Sequence, residues 1–264
     1  MPIDIWDYET FDSDLRSILE ARADLVKNYW ETDQRQFYER EASDHTMPHP
    51  TNLFASDYRD LVEDRLMPAM ELRSIRAWHY TRLTDDELEV VKRSGIHIST
   101  VDSLTQRLGF QVAAFRLSET EAAEILHRSP FQEKNTSRLG KFWMTSHPIA
   151  VDDSGVEPLL AYWGGEAVYF CLPERDSLLQ KIGLIGSPVV FEIGVPIAVT
   201  RHCYSASRSA AITFARTLGC QPPREAFDLY SKCDLNPQHI IGVHKPSDKT
   251  FDRIANGYPA RFKS

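Results

Sequence analysis

The pentapeptide Trp78-His79-Tyr80-Thr81-Arg82 decides how this chain of 264 residues is read. Its aromatic and β-branched residues favour an extended backbone with alternate side chains on opposite faces. It runs straight into Thr84-Asp85-Asp86-Glu87, the spacing of a capping box, in which the Thr hydroxyl accepts from the Glu amide and the Glu carboxylate reaches back. Leu88 and Val91 supply the buried face of the helix that follows, and Gly95 is placed to stop it in the left-handed region. Ile96-His97-Ile98-Ser99 then reads as a second short strand.

Upstream, from about Phe11 to Met70, the pattern is helical and polar. Leu15, Ile18, Leu19, Arg22, Leu25, Val26 and Tyr29 recur at three- and four-residue steps, with Asp12 or Ser13 as the cap. Pro48 and Pro50 break this layer, and a second helix is expected over residues 56–67. Downstream, Ser118-Glu119-Thr120-Glu121 repeats the capping box ahead of a helix over residues 122–127. Strands are expected at residues 141–146, 167–172, 188–193, 226–231 and 239–244, and helices at 158–163 and 207–218, with Gly219 closing the last. Residues 248–264 read as a surface tail anchored by Tyr258 or Phe262. There is no steady βαβ rhythm, and neither G-x-G-x-x-G nor G-x-x-x-x-G-K-[ST] is present. The expectation is therefore an α+β fold, with a helical extension over residues 1–75 and a catalytic domain over 76–264, its core about Arg76 to Lys245.

Bulk properties narrow the function. A formal net charge of -8 argues against nucleic acid as the default partner, because phosphate neutralisation needs an excess of Lys and Arg. Cys171, Cys203, Cys220 and Cys233 form no C-x-x-C pair, so free and mostly buried thiols in a reducing cytoplasm are expected. The first residues lack the basic-then-apolar layout of a signal peptide, and no apolar run approaches the roughly 20 residues a membrane span needs. His45-Thr46-Met47-Pro48-His49 is no metal pair, since Pro48 forbids the helix that would put both imidazoles on one face; no metal is expected.

Taken alone, His79-Tyr80 is an ordinary strand pair in which the imidazole bonds internally and the phenol fills the core. Its place before a capped helix and Gly95-Ile96-His97-Ile98-Ser99 gives it more meaning. The segment Ala77 to Arg82, followed by a helix and Ser94-Gly95-Ile96, resembles the opening of the ADP-ribosyltransferase-like superfamily. The likeness is to its histidine-bearing branch, which includes diphtheria-toxin-like and polymerase-like transferases and RNA 2′-phosphotransferases. The stretch Glu225 to Val243 is similar to the closing strand pair of that superfamily, where an acid precedes one strand and a Pro-containing turn leads into the last.

The resemblance implies a split mixed or antiparallel sheet and NAD as substrate. It gives His79 the nicotinamide ribose, and it assigns the catalytic carboxylate to Glu225, with Asp228 next. Breaking the ribose–nicotinamide bond creates an oxocarbenium-like centre, so a carboxylate near the ribose stabilises developing charge or takes a proton. Tyr80 and Thr81 on the first strand, Thr145 and Ser146 on Phe142-Trp143-Met144-Thr145-Ser146, and Tyr162 are the candidate cofactor contacts. For Thr145 and Ser146, alternation on a half-buried strand is an equally good account. In Tyr162-Trp163-Gly164-Gly165-Glu166-Ala167 the paired glycines suit a tight turn, and Glu166 is a rival acid. Arg201, His202 and Arg208 offer phosphate contacts. The expected activity is transfer of ADP-ribose from NAD to a protein or nucleic-acid acceptor. The alternatives are a silent protein-interaction module with Trp6, Tyr29 and Trp30 as surface aromatics, or an RNA 2′-phosphotransferase-like enzyme.

Overall fold

In the computed structural model of the chain, which describes residues 1–42, 51–133 and 136–257, Asp12 starts the first helix. Its carboxylate accepts from the Leu15 amide and pairs with Arg73 at 2.6 Å; the Arg73 hydrogen bond holds its pKa down at about 2. Helix α1 (Ser13–Glu20) buries Leu15 and Leu19, and α2 (Ala23–Ala42) follows directly. The second expected helix is one longer helical run: α3 (Ala55–Asp60), a π-helical turn (Leu61–Leu66) and α4 (Met67–Glu71). Strand β1 (Ser74–Leu83) then contains the opening pentapeptide. It leads to α5 (Asp85–Ser94), α6 (Val101–Ala113), α7 (Glu119–Arg128) and strand β2 (Phe142–Thr145). Three short helices, α8 (Glu157–Ala161), α9 (Glu166–Tyr169) and α10 (Ser177–Gly183), precede β3 (Ser187–Pro196). The chain closes with α11 (Cys203–Thr217), β4 (Asp228–Ser231), β5 (Ile240–His244) and α12 (Lys249–Ala255).

The described residues form two compact units, one within 1–76 and 196–227, the other within 77–195 and 228–257. In the first, α11 carries a run of small buried residues, Ala206, Ser207, Ala210 and Ala211. Small side chains let neighbouring helices approach closely. The Thr213 hydroxyl donates to the Ile5 carbonyl at 2.6 Å, and Tyr29 stacks on Tyr58 with ring centres 3.9 Å apart. Trp6 and Trp30, expected as surface aromatics, are core residues of this unit.

The second unit is built on the sheet, with strand order β4-β2-β1-β3-β5. The pairs β1–β2, β2–β4 and β3–β5 are antiparallel. Residues directly opposite each other in such a ladder share a face. Trp78 lies opposite Thr145, Thr145 opposite Asp228, and Trp143 opposite Tyr230. Trp78, Tyr80, Trp143, Thr145, Asp228 and Tyr230 therefore occupy one face, and His79, Thr81, Phe142, Met144 and Leu229 the other. On the first face Trp78, Tyr80 and Val190 pack with Val156, Leu160, Phe251 and Ile254 into one apolar cluster.

Several expectations are corrected here. Residues 167–172 are not a strand: after Gly164 and Gly165, both at positive φ, the chain turns into α9, and Val168 is buried where any Cβ on Gly164 would collide with it. The expected surface tail contains α12, whose buried face is formed by Phe251 and Ile254; the expected anchors Tyr258 and Phe262, and the segment His45 to His49, lie outside the described residues. The closing strands are no pair, since β4 joins β2 and β5 joins β3 at opposite edges of the sheet. The segment 96–99 makes a single bridge, Ile96 to Leu235, in place of a full strand. Two of the thiols, Cys171 and Cys233, are exposed and two buried, all four free.

Gly186, at φ +70 in the turn entering β3, presses on the junction of β1 and α5, where an added Cβ would collide with the Leu83 carbonyl. Gly140 has a similar φ of +69 but nothing within 4 Å of an added Cβ. Gly140→Ala should cost about 1 kcal/mol from backbone strain alone. Gly186→Ala should cost about 2 kcal/mol or more, because the carbonyl must also move. Urea denaturation of the two variants measures the difference; equal losses would remove the steric argument.

Candidate functional site

His79 stands on β1 with a defined ring state. Its Nδ1 lies 2.8 Å from the Trp143 carbonyl oxygen. A carbonyl only accepts, so Nδ1 carries the proton and Nε2 presents a lone pair. No hydrogen bond to Nε2 is formed by the described residues. The Phe142 ring lies beside the imidazole, centres 4.4 Å apart and tilted by 43°. Burial lowers the imidazole pKa to about 4, opposed by the Trp143 carbonyl and assisted by the charge of Arg107. At neutral pH this group accepts a hydrogen bond and carries no charge.

The other candidates on these strands are engaged with the protein itself. The Tyr80 hydroxyl donates to the Ile149 carbonyl at 3.0 Å and accepts from the Ile149 amide at 2.6 Å, and burial pushes its pKa upward. Thr81 is buried on the face of His79. Thr145 donates to the His147 carbonyl at 2.6 Å, Ser146 is wholly buried, and Tyr162 packs on the cluster around Trp163.

Each of the three candidate acids has its own setting. Glu166, first residue of α9, is held at 2.8 Å by both Nε and Nη2 of Arg138, whose guanidinium lies over Trp143. Asp228 opens β4 opposite Thr145, on the face turned away from His79. Glu225 belongs to the other compact unit, where Arg208 grips it through two nitrogens at 2.6 and 2.8 Å. That pair borders a depression of about 100 Å³ lined also by Tyr204, Ser205, Ser209 and Phe227.

Comparison with protein-family models, with curated proteins and with solved structures finds no match. The reading of the site therefore rests on its own geometry. Among the described residues no helix is long and apolar enough to cross a membrane, and no group of three His, Cys, Asp or Glu side chains is arranged to hold a metal ion.

Two polar assemblies in this unit escaped the sequence reading. The first centres on Glu87, whose carboxylate accepts from the Thr84 amide at 2.9 Å, from the indole of the fully buried Trp163 at 2.9 Å, and from Nε of Arg107 at 2.8 Å. The capping box disclosed Glu87, but its partners on α6 and before α9 lie 20 and 76 positions away. The second is a buried pair on β3 and β5. Glu192 lies 3.1 Å from Nε2 of His244, and Nδ1 of that ring lies 3.0 Å from the Thr250 hydroxyl on α12. Gly242, opposite Glu192, leaves room for the contact, since a Cβ there would sit 2.8 Å from the imidazole. A glutamate within the apolar run Val189 to Val195 was the available signal, because a buried carboxylate requires a partner.

Proposed function

We propose that this chain binds NAD through His79 and transfers its ADP-ribose to a macromolecular acceptor. The observation that carries the reading is the Nε2 lone pair of His79, fixed by the Trp143 carbonyl and free to accept a ribose hydroxyl. A ring kept neutral by burial performs that role without attracting a competing anion, and the Phe142 face beside it suits a flat nicotinamide ring. The carboxylate needed at the oxocarbenium-like centre is the one the resemblance ranks first, Glu225. An arginine pairs with Glu225 as well as with Glu166, so ion pairing does not separate those two and their order rests on the resemblance alone; the strand register weighs against Asp228.

The test is nicotinamide release from NAD. Wild type should release it, and His79→Ala and Glu225→Gln should each slow release by about tenfold or more, in the range expected when one positioned group is removed. Glu166→Gln and Asp228→Asn should leave it within about twofold of wild type. Binding of NAD with no turnover in any variant would sink the transferase reading. A second reading, a catalytically silent module on the same fold, is favoured by one observation: each rival for the acid is either paired with an arginine or turned to the other face. It predicts no nicotinamide release by wild type.

A further inference from the structure

We infer that Ser94 and His97, positioned by Asp234, form a surface-exposed catalytic pair that takes an acyl group from a small activated ester and passes it to water. The three side chains belong to one compact unit: Ser94 ends α5, His97 follows three positions on, and Asp234 lies in the turn after β4. The Asp234 carboxylate lies 2.8 Å from Nδ1 of His97, and Nε2 of the same ring lies 3.4 Å from the Ser94 hydroxyl. All three residues are exposed, the imidazole by 54% and the carboxylate by 56% of the side chain, so a reagent in water reaches them. A carboxylate only accepts, so Nδ1 carries the proton and the lone pair of Nε2 is offered to the hydroxyl. Hydroxyl, imidazole and acid thus stand in the order of a nucleophile, its base and the group that orients the base.

The backbone brings these groups together. Ile96 and Leu235 exchange amide-to-carbonyl bonds of 2.8 Å in both directions, and Gly95, at φ +90, permits the approach, since an added Cβ would collide with the Leu235 carbonyl. The second oxygen of Asp234 accepts from the Ile98 amide at 2.9 Å, which fixes the carboxylate. Burial works to raise its pKa, but the bonds from His97 and the Ile98 amide outweigh it and keep the acid ionised at neutral pH. The Ser94 hydroxyl has one proton and two acceptors in reach, the Val90 carbonyl at 2.8 Å and Nε2 of His97; rotation about the Cβ–Oγ bond turns that proton to the base. The Gly95 and Ile96 amides are engaged with the Val91 and Leu235 carbonyls, so water meets the developing oxyanion. This limits the substrate to acyl groups on good leaving groups, such as aryl esters and thioesters. Oγ attacks the carbonyl carbon as its proton passes to Nε2; the bond to the leaving group breaks, and the leaving group takes that proton. Water, losing a proton to Nε2, then attacks the Ser94 ester, releases the carboxylic acid and restores the hydroxyl.

The experiment gives the full chain p-nitrophenyl acetate, follows nitrophenolate release, and locates acetyl groups by peptide mass after an acid quench. Cys171 and Cys233 are exposed thiols that also react with aryl esters, so the position of the label decides. Wild type should carry acetyl on Ser94. His97→Gln should slow acetylation of Ser94 by about tenfold or more, the range expected when a positioned general base is removed. Asp234→Asn keeps an acceptor for the Ile98 amide and should slow it less. It should also move the midpoint of the rise in rate with pH to lower pH, because the charge that favours the protonated ring is gone. A purely structural Asp234 would leave that midpoint where it is. Absence of acetyl from Ser94, equal acetylation of Ser94 in wild type and His97→Gln, or an unmoved midpoint in Asp234→Asn overturns the site. Nitrophenolate release undiminished in Ser94→Ala but lost in His97→Gln would make the ring itself the nucleophile and overturn it as well. Neither NAD nor His79 takes part, so the outcome is independent of the transferase reading.

Discussion

Glu87→Ala is expected to lower the stability of the chain by about 3 kcal/mol, because it breaks a part-buried ion pair and leaves the indole N–H of the buried Trp163 without its acceptor. Donors from three parts of the sequence converge on this carboxylate: the Thr84 amide and hydroxyl, the Trp163 indole and the Arg107 guanidinium. Its loss leaves a guanidinium and an indole N–H without acceptors beside an apolar cluster that includes Leu104, Leu108, Trp163 and Ile182. Glu87→Gln retains the shape and one acceptor oxygen, so its loss should be smaller, about 2 kcal/mol. Burial alone would raise the Glu87 pKa, but the Arg107 charge, the Thr84 amide and the Trp163 indole outweigh it and hold the carboxyl below its ordinary value. Stability from this group is therefore present above the ordinary carboxylate range and is lost as pH falls through the lowered folded value. Urea midpoints of both variants at neutral pH check the ranking. A loss under about 1 kcal/mol for Glu87→Ala would mean that the hub contributes no more than a surface pair.

The capping boxes show which parts of this fold a reader of residues can recover. Thr84 with Glu87 and Ser118 with Glu121 form as the spacing predicts, because an N-cap is a contact between residues three apart. The strands at 74–83, 142–145, 187–196, 228–231 and 240–244 were legible for a similar reason, since bulk and alternation are written into each segment. Helix α6 went unplaced although its signal is present: Thr100 caps it and Leu104, Leu108 and Gln111 repeat at helical spacing along its buried side. Residues 167–172 misled, because a short apolar run looks alike in a strand and in a buried turn of helix. The decision there comes from the positive φ of Gly164 and Gly165 and from the fit of Val168 against Gly164, a contact no local pattern reveals.

The chemistry was legible to a lesser degree than the elements. His79 stood out as a candidate because its neighbours on either side specify a strand and a capped helix. Its tautomer was hidden, since the Trp143 carbonyl comes from a strand 64 residues later. The ranking of the acids suffered from the same limit. Asp228 and His79 are each plausible alone, and only the pairing of β1 with β2 and of β2 with β4 determines that they face opposite ways. A shift of one residue in either register would reverse that relation, which is why a sequence without strand pairing cannot rank carboxylates by face. Arg107, the partner of Glu87, carried no local signal at all, since the two stand 20 positions apart on different helices.

His79 should make the protein acid-sensitive in a window where few other groups titrate. The imidazole ionises near its ordinary value of 6.5 when unfolded and at about 4 when folded, with burial as the main cause. The unfolded chain therefore binds the extra proton first. The stabilisation from a neutral, buried ring is complete above pH 6.5, declines as pH falls, and is exhausted below the folded value of about 4. Over the whole window the shift corresponds to about 3 kcal/mol, and at pH 4.5 roughly 2 kcal/mol should already be lost. His79→Gln keeps an N–H for the Trp143 carbonyl and has no proton to gain, so it should lose about 2 kcal/mol less than wild type between pH 7.5 and pH 4.5. Carboxylates such as Glu87 titrate in both proteins and cancel in the comparison. Parallel stability curves for the two chains would show that His79 ionises as freely in the fold as in water, and with it would go the neutral lone pair on which the proposed ribose recognition depends.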